Sequence, residues 1–309
     1  MQKRSIRTRH LPITLFFLFI LQCASAQKQP LRLFLIGNSF SQNATQFLPE
    51  LSKEGGHQLI IGRAELGGCS LQRHWEHAAA AEANPNDEKG KPYKGKSLKM
   101  LLSEGTWDVI TLQQYSKIST DLSRYEPYAT KLFEYVRKLQ PNARIVFHQT
   151  WAYRSDSNDF GQLTEGGEAK NEQEMWEKSR AAYRATAASL QAAVIPTGDA
   201  FWQMSSSRKW AYHRDKNFDF KNTAMSKLPD QTNSLHVGYA WNKEKLNFDS
   251  HHASPAGCYL GALVWYGYLF QESPMKLTFV PENVPANFAK QLRKTAWKTV
   301  KKELKASVY

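Results

Sequence analysis

Cysteine is the scarcest informative residue in this chain. Three in 309 residues exclude a disulfide-dense scaffold and a zinc site built from paired CxxC motifs. Acidic residues are also under-represented. The 28 Asp and Glu face 41 Lys and Arg, a formal net charge of +13. No internal repeat and no low-complexity tract is present, and beyond residue 26 no apolar run is long enough to span a bilayer. What remains is a globular composition, with 41% hydrophobic and 12% aromatic residues. Disordered, collagen-like and coiled-coil chains are thereby excluded. The length suits one or two domains with a large core.

Residues 1–26 read as a secretory signal peptide. Lys3, Arg4, Arg7 and Arg9 form a positive start, Leu11–Leu21 is almost wholly apolar, and Ala24-Ser25-Ala26 supplies small residues for cleavage. An uncleaved anchor is the alternative. Cys23 resembles a lipoprotein site, but Gln22 stands where a small residue is expected. Removing these four basic residues leaves a net charge of +9. The expected mature protein is secreted or periplasmic, with no stable membrane insertion, and export argues against a nucleic-acid partner. The last residues hold Lys290, Arg293, Lys294, Lys298, Lys301, Lys302 and Lys305, with Phe288, Leu292, Ala296, Val300 and Leu304 at helical spacing. A basic C-terminal helix near 285–305 follows, either simply solvated or attracted to an anionic polymer or envelope surface.

Between these ends, short apolar runs alternate with longer amphipathic ones. Strands are expected at Leu31–Ile36, Gln58–Ile61, Trp107–Leu112, Arg144–Phe147 and Ala193–Pro196. Helices are expected at Asn43–Lys53, Leu71–Ala83, Tyr125–Leu139, Glu172–Leu190 and Gly257–Leu269. Near-continuous apolar strands separated by helices predict a doubly wound α/β domain with a mostly parallel sheet of about five strands. The domain occupies residues 27–309, with a polar loop over Asn84–Ser97 and an aromatic-rich inserted subregion near 208–246.

In such a sheet, sites form outside the carboxyl ends of the strands. The first strand delivers Gly37-Asn38-Ser39-Phe40-Ser41, where a serine would sit beside helix N-terminal amides or simply cap the helix. Gly67-Gly68 follows the second strand and offers an unhindered backbone N–H. Gln113-Gln114 ends the third and offers side-chain amides, sent to opposite sides by strand alternation. Late in the chain, Asp249 and His252 are three apart, so in a turn or helix start the carboxylate can reach the imidazole. His251 beside them admits a metal reading, but no third or fourth ligand spacing supports it. Cys69 and Cys258 flank these blocks, and sequence alone leaves their pairing open.

These four blocks occur in the order found in SGNH/GDSL-type hydrolases. The chain resembles more closely a branch of exported bacterial SGNH proteins labelled only as a domain of unknown function. LFLIGNSFSQN, GGCSLQRHW, WDVITLQQYS, TWAY at Thr150–Tyr153 and DSHHASPAGCYLGALVW carry the resemblance, which spans roughly Leu31 to Leu304. It implies a flavodoxin-like three-layer α/β/α fold and ester hydrolysis by a Ser39, His252, Asp249 triad, with no metal or organic cofactor. The Ser39 and Gly68 amides and one glutamine would form the oxyanion hole. Many relatives place an asparagine where this chain has Gln113 and Gln114; Gln113 is the preferred donor and Gln114 the alternative. Asn38, His148, Trp151 and Tyr153 are candidates for substrate contacts. The implied substrate is an acylated carbohydrate or another small ester, possibly anionic. An O-acyltransferase on the same triad and a non-catalytic glycan-binding module are the competing functions.

Overall fold

The computed structural model describes residues 29–306, apart from 165, 221–222 and 225–226. Residues 1–26, expected to be a signal peptide, lie outside the described residues, Cys23 included.

Five strands form the central sheet: β1 (Leu31–Gly37), β2 (Leu59–Glu65), β3 (Val109–Leu112), β4 (Arg144–His148) and β5 (Ala193–Ile195). Every pairing is parallel, in the order β2-β1-β3-β4-β5. That is the flavodoxin-like order, whose switch point lies between β1 and β3. Both faces are covered. Leu33 and Leu35 of β1 enter the core with Val109 and Val146, while Phe34 and Ile36 enter the opposite core with Ile110 and Ile145. Period-two alternation thus turns one apolar strand into half of two cores.

On one face pack α1 (Ser39–Ala44), α2 (Leu48–Glu54), α7 (Thr197–Ser205), α8 (Pro255–Phe270) and α9 (Ala286–Ala306). On the other pack α3 (Leu71–Ala83), α4 (Leu98–Leu102), α5 (Tyr128–Leu139) and α6 (Glu172–Ser189). Helix α8 is apolar all round because the sheet lies on one side and α9 on the other, so 14 of its residues are buried. Among the described residues, no helix is long and apolar enough to cross a membrane.

Three expectations change. The helix over Asn43–Lys53 is two helices, because Pro49 lacks an N–H and cannot sit inside a continuous helix. Helices α4 and α7 are too short to stand out by periodicity. The aromatic-rich stretch does not end at 246: β6 (His236–Asn242) pairs antiparallel with β7 (Lys245–Ala253) in a separate hairpin. Asp249 and His252 therefore lie on a strand rather than at a helix start.

Arg154, buried and ion-paired to Asp156, has its guanidinium 4.1 Å from the Tyr212 ring and 4.9 Å from that of Phe248. It ties this hairpin to the domain. Beside it, Glu172 opens α6. Burial pushes its carboxyl up to about 7, against the lowering effect of a hydrogen bond from Ser205. The unfolded carboxyl titrates near 4.3. Between those values the folded chain keeps a proton that the unfolded chain releases, so this group's contribution falls as pH rises and levels off above 7. Glu172→Gln should therefore raise Tm at pH 8 by about 2–8 °C, from about 1–2 kcal/mol. The difference should vanish below about pH 4.5. Thermal melts across that range check it, and a pH-independent difference would contradict the assignment.

Candidate active site

At the carboxyl end of β1 the chain turns at Asn38 and enters α1. Asn38 is the N-cap: its Oδ1 accepts from Phe40 N at 3.0 Å, while its Nδ2 donates to the Cys69 carbonyl at 3.0 Å. One side chain therefore opens the helix that begins with Ser39 and holds the Gly68–Cys69 loop against it. Gly68 has φ +57°, the left-handed region that a side chain disfavours. Among the described residues, no protein acceptor takes the N–H of Ser39 or of Gly68.

Gln113 lies at the switch point, fully buried. Its Oε1 accepts from Asn38 N at 3.1 Å and from Ser41 Oγ at 3.0 Å, and its Nε2 donates to the Gln114 carbonyl. Gln114 points the other way, as alternation requires. Its Oε1 accepts from Leu71 N at 3.1 Å and Tyr115 N at 2.9 Å, and its Nε2 donates to the Arg124 carbonyl at 2.9 Å. The geometry brings neither amide to Ser39 Oγ. A buried amide is costly unless hydrogen-bonded, and here the backbone of the neighbouring turns has taken both.

The imidazole arrives from the other side of the molecule. In the hairpin, Gly238 pairs with Asp249 and His236 with Ala253. Val237 thus faces three residues, Ser250, His251 and His252, across a bulge. The bulge curls the backbone so that Asp249 Oδ1 accepts from the N–H groups of His251 and His252, at 3.1 and 2.9 Å. Asp249 Oδ2 meets His252 Nδ1 at 2.7 Å, and His252 Nε2 meets Ser39 Oγ at 2.9 Å. Burial would raise the Asp249 carboxyl, but the His252 ring and the two amides outweigh it and hold the group below the usual carboxylate range. His251 is also 3.0 Å from Asp249, and donor atoms of Asp249, His251 and His252 lie within 4.8 Å of one another.

The four residues expected to touch substrate do not line a groove. Asn38 is buried as a cap. His148 is buried against Trp265, at 4.9 Å between ring centroids, and burial drops its pKa to about 3. Trp151 stacks between Phe40 and Phe201 at 4.3 and 4.5 Å, and its Nε1 donates to the His251 carbonyl at 2.9 Å. The Tyr153 hydroxyl pairs with Ser116 Oγ at 3.0 Å. Large apolar rings near a crevice were taken by the core first. Sequence reasoning missed Asn43, whose Oδ1 accepts from Ala253 N at 3.1 Å, and Arg154, whose N–H donates to the Ser250 carbonyl at 2.8 Å. Asn43 ends a motif already noted and Arg154 directly follows another, but nothing in one sequence marks them as partners of a strand about 100 to 200 residues away. Cys69 and Cys258 are both free and buried. Burial raises each thiol to about 12, so neither is a nucleophile.

The model of a domain of unknown function, DUF4886, matches residues 32–224. That span includes Ser39, Gly68 and Gln113 and stops before the hairpin. The crystal structure of a DUF4886 family protein from Bacteroides uniformis superposes with a TM-score of 0.67 at 24% identity, covering 88% of this chain and 95% of that one. A protein from Slackia heliotrinireducens, provisionally assigned as an SGNH hydrolase, gives 0.47 at 19% identity, covering 78% of this chain and all of the other at 100%. A provisionally assigned GDSL-like lipase from Parabacteroides merdae gives 0.42 at 14%, covering 77% and 94%. No curated protein matches. The chain belongs to the DUF4886 family and has a three-layer α/β/α fold built on a parallel five-stranded sheet.

Proposed function

We propose that the protein is an exported serine esterase of SGNH type that deacylates an acylated carbohydrate. The observation that carries the chemistry is the unbroken path from Ser39 Oγ through the His252 ring to the Asp249 carboxylate, at 2.9 and 2.7 Å. His252 Nε2 takes the hydroxyl proton as Ser39 Oγ attacks the ester carbonyl, and Asp249 fixes the tautomer by accepting from Nδ1–H. The carbonyl oxygen gains a full charge as the carbon becomes tetrahedral. The uncommitted Ser39 and Gly68 N–H groups are the donors for it, and Gln113 is a positioning residue rather than a third donor. The intermediate collapses, the sugar oxygen leaves with the proton returned by His252, and an acyl group stays on Ser39. Water then gives a proton to His252 and attacks the acyl carbon, and the second intermediate collapses to release the acid as His252 returns that proton to Ser39 Oγ. Carbohydrate as the alcohol portion is supported by the secretory-type leader and the aromatic-rich chain, with fold analogy behind it.

A fluorophosphonate probe should label Ser39, and Ser39→Ala should abolish labelling while lowering p-nitrophenyl acetate turnover at least about 10³-fold. Persistent labelling of the alanine variant, mapped by mass spectrometry, would remove Ser39 from the mechanism. Asp249→Asn is the sharper variant. Its Oδ1 can still accept the two backbone N–H groups, so the bulge should hold. Its amide would instead donate to His252 Nδ1, leaving Nε2 protonated towards Ser39. Turnover should fall by about 10²–10⁴ with the melting curve nearly unchanged. Near-normal turnover in that folded variant would contradict the triad.

Gln113→Ala should behave differently, because it strands the Asn38 N–H and Ser41 Oγ in a dry site. Stability should fall by about 1–3 kcal/mol together with turnover. A loss of kcat alone, with an unshifted Tm, would restore Gln113 as an oxyanion donor.

A further inference from the structure

The hydrolytic reading leaves the basic face of α9 unused. Lys290, Lys294, Lys298, Lys301, Lys302 and Lys305 are all exposed there. Their spacings of three and four residues align them in one stripe about 22 Å long. The single acid on this helix, Glu303, is buried and bonded to Arg184 Nη2 at 2.6 Å. None of the six lysines forms an ion pair among the described residues. Like charges one turn apart repel, so the stripe weakens the isolated helix and is relieved by an external anion.

Two hollows flank the stripe, and each sets tryptophan beside lysine. Between α6, α7 and α9 lies a groove of about 550 Å³ containing Lys298 and Lys302. The Trp176 and Trp202 rings stack there at 5.0 Å and 16°. Arg180 and Arg184 line it too. Its two acids, Asp199 and Glu303, are already engaged: Asp199 accepts from Gln149, Trp176, Arg180 and Arg184, and Glu303 accepts from Arg184. Further along α9, a hollow of about 320 Å³ places Trp210 beside Lys290 and Lys294. Indole faces suit sugar rings, and lysines suit their anionic substituents. A membrane fits less well. An interfacial helix inserts its apolar face, whereas Phe288, Leu292, Ala296 and Val300 of α9 are buried in the core.

We propose that the α9 stripe and its two tryptophan-bearing hollows bind an anionic polysaccharide, a chain of sugars carrying carboxylate or sulfate groups. This binding is separate from ester cleavage and does not depend on the triad. The test is titration of the protein, followed by tryptophan fluorescence, with polygalacturonate, neutral dextran, poly-glutamate and phosphatidylglycerol vesicles at low and high salt. Polygalacturonate should bind with an affinity that falls as salt rises, and dextran should not. Lys298→Glu with Lys302→Glu should weaken polygalacturonate at least about tenfold while leaving p-nitrophenyl acetate turnover and Tm unchanged. Trp202→Ala should weaken polygalacturonate more than poly-glutamate, and Trp202→Phe provides a milder change should the alanine variant melt early. Equal binding of dextran, an unaltered affinity in the lysine double variant, or equal effects of the Trp202 variants on both polyanions would overturn the proposal. So would vesicle binding without polygalacturonate binding.

Discussion

One local distortion governs the site: three residues of β7 stand opposite a single residue of β6. A regular strand would put Asp249 and His252 on opposite faces, because side chains alternate. The bulge cancels that alternation and lets a carboxylate and an imidazole three residues apart meet at 2.7 Å. Much of the surrounding structure serves to hold it. The Arg154 N–H takes the Ser250 carbonyl, the Trp151 indole takes that of His251, and Asn43 takes the Ala253 N–H. Each brace comes from the sheet domain, so a hairpin outside the central sheet is fixed relative to β1. Ala253 then passes directly into Ser254, the cap of α8, whose Oγ accepts from Gly257 N. The most buried helix of the protein thereby anchors the histidine's own strand.

The second half of the site depends on the switch point between β1 and β3. There the helices after the two strands diverge, which leaves a crevice with backbone amides at its edge. A crevice of this kind needs internal acceptors, or its turns would be loose. Gln113 and Asn38 supply them. Gln113 takes the N–H of Asn38, and Asn38 takes the next turn of its own helix while reaching across to Cys69. Both side chains look, by residue type and place, like groups for binding a ligand. Their work is instead to keep two loops in register, and that consumes the hydrogen-bonding capacity a ligand would need.

This explains what was legible in the sequence and what was not. The parallel sheet could be read from LRLFLI, WDVITL and RIVF, since strands buried on both faces must be apolar throughout. Ser39 could be placed at a strand end and Asp249 within reach of His252 by their spacing, but that the three meet was implied by the resemblance to SGNH/GDSL-type hydrolases. The roles of Gln113, Asn38, His148, Trp151 and Tyr153 did not follow, because they depend on which partner is nearest in space. A tryptophan after β4 reads equally as a groove wall or as a stacked core ring. Only the position of Phe40 and Phe201 on either side of it decides. The hairpin was hidden for a related reason: KLNFDSHHA keeps the alternation of a half-buried strand only as far as Asp249, because the bulge breaks the period where it matters most.

Charge decides which histidine can act as a base. Accepting a proton makes an imidazolium, which a dry site opposes. Burial pushes His74 and His148 down to about 3 and His236 to about 4. His74 is held between the Gly37 carbonyl and the Tyr93 hydroxyl, and His236 reaches the Ala152 carbonyl. These rings stay neutral and act as spacers in the core. His57 does have a carboxylate, Glu272, at 3.1 Å. It precedes β2, however, at the amino ends of the strands and away from the crevice, and the hydroxyl sharing that carboxylate is the Tyr266 phenol. Among the described residues, His252 alone of the rings paired with a carboxylate is partly open to solvent and also touches an aliphatic hydroxyl at a helix N-terminus. The same bulge that turns it towards Ser39 also sets the Asp249 carboxylate against its Nδ1.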